Sequence, residues 1–122
     1  EEICMLTKID KHSGVPAYLQ IMNQIKKEIF LGRFTDGSQL PPVREMENIF
    51  GVNMNTIMRA LEYLQFEKIV EAKHGIGYFI TSDVIIDPDI PKQIMEFVRD
   101  IKTKKIDLQM LGLLIEEVWK EC

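Results

Sequence analysis

A chain of 122 residues can bury one ordinary domain core and little more unless a second chain shares the burial, which leaves no room for a long catalytic insertion. The hydrophobic share of 46% and charged share of 28% are those of a globular protein, and no apolar run approaches the roughly 20 residues that cross a bilayer. The net charge of -4 weighs against nucleic-acid binding, but residues 1–82 carry nine Lys and Arg against ten Asp and Glu while residues 83–122 carry six against nine, so most of the acidic excess gathers in the second part.

From Pro16, the apolar residues Tyr18, Ile21, Met22, Ile25 and Ile29 recur at steps of three and four and predict an amphipathic helix that Gly32 stops. A turn follows at Thr35-Asp36-Gly37. Leu40-Pro41-Pro42 then leads into a short second helix carrying Val43, Met46, Ile49 and Phe50, with Pro42 expected at its first position and Gly51 at its end. A third helix starts three residues later, capped by Asn53, with Ile57, Leu61 and Leu64 as its buried stripe. Two helices joined by so short a glycine-containing turn make a helix-turn-helix candidate. Residues 69–72 and 78–81 read as strands around the turn Lys73-His74-Gly75-Ile76-Gly77, so a β-hairpin is expected, too small to stand without the helices. Ser82 to Pro91, broken by Asp83, Asp87, Pro88 and Asp89, reads as a linker. Two further amphipathic helices follow, one with Ile90, Ile94, Phe97, Val98 and Ile101, the other with Leu108, Leu111, Ile115 and Val118. The residues from Ile3 to Ile9 suit either a strand or an ordered arm.

The third helix carries the most informative residues. At about 100° per residue, Asn55 and Arg59 project nearly opposite Ile57, Leu61 and Leu64. Amides, a hydroxyl and a guanidinium near a helix N-terminus suit base edges: Asn pairs with adenine, Arg with guanine, and Thr with either a polar edge or the thymine methyl. A solvated helix face is the plain alternative. Three helices followed by a two-stranded wing raise the DNA reading, because in a winged helix-turn-helix those N-terminal residues enter the major groove. Lys73 and His74, beside glycines that let backbone approach closely, then suit a phosphate or the minor groove.

The stretch "PAYLQIMNQIKKEIFLGRFTDGSQLPPVREMENIFGVNMNTIMRALEYLQFEKIVEAKHGIGYFI", from Pro16 to Ile80, resembles the DNA-binding domain of GntR-type bacterial transcription regulators. The spaced residues Ile25, Ile29, Gly32, Gly37, Leu40, Pro41, Arg44, Gly51, Val52, Thr56, Ile57, Ala60, Leu61, Leu64, Gly75, Gly77 and Phe79 carry the likeness. The phrases "SGVPAYLQI" and "VNMNTIMRAL" and the short tail are similar to the YtrA-like subgroup. The resemblance implies a mainly α fold with a small β-hairpin: a winged helix-turn-helix at 1–82, a linker at 83–91 and a two-helix dimerisation tail at 92–122. It also implies DNA contacts from Arg44, Asn53, Asn55, Thr56, His74 and Gly75, to which geometry adds Arg59 and Lys73. A homodimeric repressor of double-stranded operator DNA, acting on an operon such as a transporter operon, is the function implied. Pro42 departs from a usual serine, Met54 and Met58 stand where cations occur in some members, and Lys68 replaces a glycine that commonly follows the third helix.

Each tail helix is too short to be stable alone and needs a surface to cover its stripe. Ile94, Phe97, Val98, Ile101, Leu108, Leu111, Ile115 and Val118 are therefore the expected dimerisation residues, against the alternative that the tail folds back on its own domain. Trp119 and Cys122 read as packing or fraying residues. Cys4, Cys122, His12 and His74 form no metal or catalytic pattern, so no cofactor, metal or enzymatic activity is expected, and unpaired cysteines suit a reducing cytoplasm. A small-molecule effector at a dimer seam is compatible with the length. The rival function is a winged helix used for protein contact, which net acidity, Met54 and Met58 favour.

Overall fold

The apolar spacing of the first predicted helix becomes the buried face of α1 (Ala17–Phe30), whose Ile21, Met22, Ile25 and Ile29 all leave solvent. The computed structural model describes residues 5–81, 87 and 89–122. After α1 come α2 (Val43–Phe50), α3 (Met54–Phe66), β1 (Val70–Lys73), β2 (Gly77–Ile80), α4 (Asp89–Lys102) and α5 (Leu108–Glu121). The chain divides into two compact units, Glu1–Ile86 and Asp87–Cys122. Cys4, Ile3 and most of the expected linker lie outside the described residues. The linker's far end is corrected: α4 opens at Asp89, so Asp89, Ile90 and Pro91 are helical. Pro91 is tolerated because the first turn of a helix has no intrahelical partner for its missing N–H.

In the first unit, α1, α2 and α3 meet around Phe50, Met46, Leu40, Ile57, Leu61 and Leu64, and Val70 and Ile80 close the core from the hairpin. β1 and β2 pair antiparallel, Val70 with Ile80 through Lys73 with Gly77, so each strand lies one residue from its expected place. The hairpin also has a third companion that the sequence did not suggest. The N–H groups of Gly37 and Leu40 donate to the carbonyls of Ile80 and Tyr78, and the N–H of Ile80 donates to Ser38, each at 2.8 Å. Residues 37–40 thus extend the wing sheet on the open edge of β2 and help make so small a hairpin stable.

Among the described residues, from Met5 onward, the N-terminal arm forms no strand; it is clamped to α1 by side chains one turn apart. Gln20 exchanges two hydrogen bonds with the backbone of Asp10, both 2.8 Å, and Gln24 two with Thr7, both 2.9 Å. Next in the series, Glu28 is wholly buried. Its carboxylate accepts from Arg33 Nε at 2.8 Å and Nη2 at 3.1 Å, and from the Met5 N–H at 3.3 Å. The hydrogen bonds from Arg33, reinforced by Met5 and outweighing the cost of burial, hold this carboxyl below its ordinary range.

Helices α2 and α3 end by the same closure with different residues. At α2, Gly51 has φ 72° and the Val52 N–H reaches back to the Glu47 carbonyl at 3.2 Å; at α3, Lys68 has φ 62° and the Ile69 N–H reaches Leu64 at 2.9 Å. Lysine thus occupies the left-handed conformation that glycine adopts without strain.

Two stability measurements follow. Lys68→Gly raises the unfolding free energy by about 1 kcal/mol in urea titration; an unchanged midpoint would show that the positive φ stores no strain. Because the folded-state value of Glu28 is depressed, its contribution is present above the ordinary glutamate range and is lost as pH falls through the lowered value. Glu28→Gln is therefore less stable near neutrality by about 3 kcal/mol, and its stability falls less steeply with acid than that of the parent chain; parallel pH profiles would contradict this.

Candidate nucleic-acid interface

The first turn of α3 explains half of its polar cluster. Asn53 is the N-cap: its Oδ1 accepts the Thr56 N–H at 3.0 Å and the Thr56 hydroxyl at 3.2 Å, satisfying an orphan amide of the helix. The two side chains that the sequence offered as DNA contacts are therefore also joined to each other. Asn53 is exposed and Thr56 half-buried.

Beyond the cap, the roll of α3 is fixed by Ile57, Ala60, Leu61 and Leu64, all 0% exposed. Asn55 and Arg59 consequently stand on the surface. Arg59 does not simply extend outward: its guanidinium carbon lies 4.4 Å from the centre of the Tyr18 ring on α1, and Tyr18 stacks on Tyr63 at 5.1 Å. Glu62 and Phe66 continue the outward stripe, Phe66 at 85% exposure. A carboxylate and a bare phenyl ring confine the chemistry suited to base edges to the first two turns, the part of a recognition helix that meets the groove. Met54 is exposed, whereas the Met58 sulfur receives the Tyr78 hydroxyl of the wing at 4.0 Å.

Arg44 is exposed in the first turn of α2. Pro42 precedes this helix as its N-cap and supplies no side-chain hydrogen bond, so the expectation that it would be the first helical residue is corrected by one position. Proline at that position leaves the opening amides of α2 without the hydroxyl that a serine would offer.

On the wing, Lys73 ends β1 rather than lying in the turn, and its ammonium sits 4.5 Å from the centre of the Phe79 ring on the outer face of the hairpin. His74 and Gly75 form the exposed turn, closed by the Ile76 N–H donating to Lys73 at 2.9 Å. Gln39, another residue that the sequence did not single out, holds this turn by donating from Nε2 to the Ile76 carbonyl at 3.2 Å. Gly77 makes room for it: φ is 145°, and a Cβ there would lie 2.8 Å from the Gln39 nitrogen.

All eight candidate DNA contacts thus belong to the first unit, on α2, α3 and the wing. In the second unit, Leu111 is buried and Val98 and Ile101 are half-buried, while Ile94, Phe97, Leu108, Ile115 and Val118 are exposed. Phe97, Ile101, Leu111, Ile115, Val118 and Trp119 line an open groove of about 400 Å³ that also borders Cys122. Among the described residues no cluster of His, Cys, Asp or Glu is arranged to hold a metal ion, and no helix is long and apolar enough to cross a membrane.

Residues 17–80 match the gntR family of bacterial regulatory proteins. The chain is 29% identical over 119 residues to the HTH-type transcriptional repressor YtrA of Bacillus subtilis, covering 93% of this chain and 92% of that protein. Its fold is similar to that of YtrA from Sulfolobus acidocaldarius, a GntR-family transcription factor, with a TM-score of 0.60 and 32% identity over 78% of this chain and 98% of the other. It is also similar to the AraR DNA-binding domain in complex with operator ORE1, with a TM-score of 0.55 and 25% identity over 60% of this chain and 89% of the other. With more than half of its length matching the family and the three helices and wing in place, the chain belongs to the gntR family of bacterial regulatory proteins.

Proposed function

We propose that this chain is a homodimeric repressor that reads an inverted-repeat operator with α3 and grips the flanking backbone with the wing. The observation that carries the proposal is the outward placement of Asn55 and Arg59 opposite a fully buried stripe on a capped helix. In this reading Asn55 and Arg59 touch base edges, while Arg44, Asn53, Thr56, Lys73, His74 and Gly75 contact phosphates or the minor groove. The Bacillus relative is a transcriptional repressor, and the AraR domain binds operator DNA. The transporter-operon target rests on the resemblance to YtrA-like regulators alone.

Dimerisation is assigned to the second unit. Its apolar groove and the exposed Ile94, Phe97, Leu108, Ile115 and Val118 leave hydrophobic surface uncovered, the mark of an interaction site. A second copy of the same helices covers it with two-fold symmetry, and that symmetry places two reading heads on one duplex. Local positive charge at each head then suffices, and the acidic residues of the tail need not meet phosphate.

Selection of bound sequences from random duplex DNA tests this directly. An inverted repeat with half-sites about one helical turn apart is enriched, and binding weakens steeply between about 50 and 200 mM salt. Arg59→Ala and Asn55→Ala each relax preference at a defined base pair by about 1 to 3 kcal/mol, while Lys73→Ala weakens all sequences alike. Failure to enrich any repeat would end the operator reading, and salt-independent capture of a polypeptide by the α3 face would replace it with protein contact.

A further inference from the structure

We propose that Tyr18, a residue of α1 outside the reading helix, is a specificity-determining residue that positions Arg59 for one base pair; the inference rests on the assignment of Arg59 to a base edge. Arginine has a long side chain, and an exposed one samples many rotamers that must be frozen before two hydrogen bonds to guanine can form. Here the guanidinium carbon is already held 4.4 Å from the Tyr18 ring centre, well within the range at which an aromatic face attracts a cation.

The shelf beneath the cation is itself fixed. Tyr18 packs against the core of the first unit and stacks on Tyr63 with a centre separation of 5.1 Å and an interplanar angle of 23°. Tyr63 lies one turn beyond Arg59 on α3, so the ring pair ties the cation to both α1 and α3. Among the described residues Arg59 makes no ion pair or hydrogen bond that would compete for its N–H groups. Attraction through a ring face spends the charge and leaves donors for O6 and N7 of guanine. Lys73 on Phe79 repeats the device on the wing, but a lysine reaching phosphate needs no defined orientation and gains less from it.

The test uses the full chain and the duplex selected for it. Tyr18→Leu keeps apolar contact with the core but removes the ring, and Tyr18→Phe retains the ring without the hydroxyl. Tyr18→Leu lowers discrimination at the base pair relaxed by Arg59→Ala by about tenfold, leaves affinity for unrelated duplex nearly unchanged, and adds nothing in the Arg59→Ala background. Tyr18→Phe keeps the parent preference. In the free protein, the ring current of Tyr18 moves the Arg59 side-chain proton resonances upfield, and Tyr18→Leu abolishes the displacement. If Arg59→Ala changes a base preference and Tyr18→Leu does not, or if Tyr18→Leu weakens every sequence equally, the positioning role is overturned while the DNA reading stands. If Arg59→Ala itself changes no preference, both fall. Thermal unfolding of each variant confirms that a folded protein is being compared.

Discussion

The total burial of Ile57, Ala60, Leu61 and Leu64 is the constraint on which the interface depends. A helix held by one apolar stripe has its roll decided, since turning it by a quarter would trade buried methyl groups for amides and a guanidinium without partners. The stripe is gripped from three sides, by α1, α2 and β1. Asn55 and Arg59 are therefore exposed as a consequence of packing. The cap at Asn53 fixes where the helix begins, and with it which residues occupy the two turns available to a groove.

Around that helix the first unit spends its polar side chains on rigidity. Gln20, Gln24 and Glu28 hold the arm along α1, and Arg33 neutralises the deeply buried member of the series. Gln39 and residues 37–40 hold the wing turn and its open edge. The second unit is built differently: among its described apolar residues only Leu111 is buried, and its groove is almost entirely hydrocarbon. A pre-organised polar surface suits a duplex, and an uncovered hydrophobic one suits a like partner.

The periodic residues made the architecture legible. Steps of three and four gave α1, α3 and the tail helices, Gly51 marked the turn, and Asn53 announced its own cap. Boundaries were less clear, because a proline forbids helix interior without saying which of the adjoining positions it takes: Pro42 precedes its helix and Pro91 lies inside one. Two contacts that define the site were hidden for another reason. Gln39 meets Ile76 across 37 residues and Arg59 meets Tyr18 across a helix pair, and neither separation leaves a local pattern. Tyr18 was legible only as one more apolar position. Glu28 was equally hidden, although the repeated spacing of Gln20, Gln24 and Glu28 along one helix flank was a signal that side chains there share a task. Lys68 was the opposite case: it stands where a glycine commonly follows the third helix, and its backbone there is left-handed.

The most direct measurement is an NMR titration of the isotopically labelled chain with its selected duplex. The account predicts that the largest amide shifts fall on residues 53–59 and on the wing turn at 73–75, with little change at the far end of α1 around residues 27–31. Shifts concentrated in the tail helices or on α1, with residues 53–59 undisturbed at saturation, would contradict it.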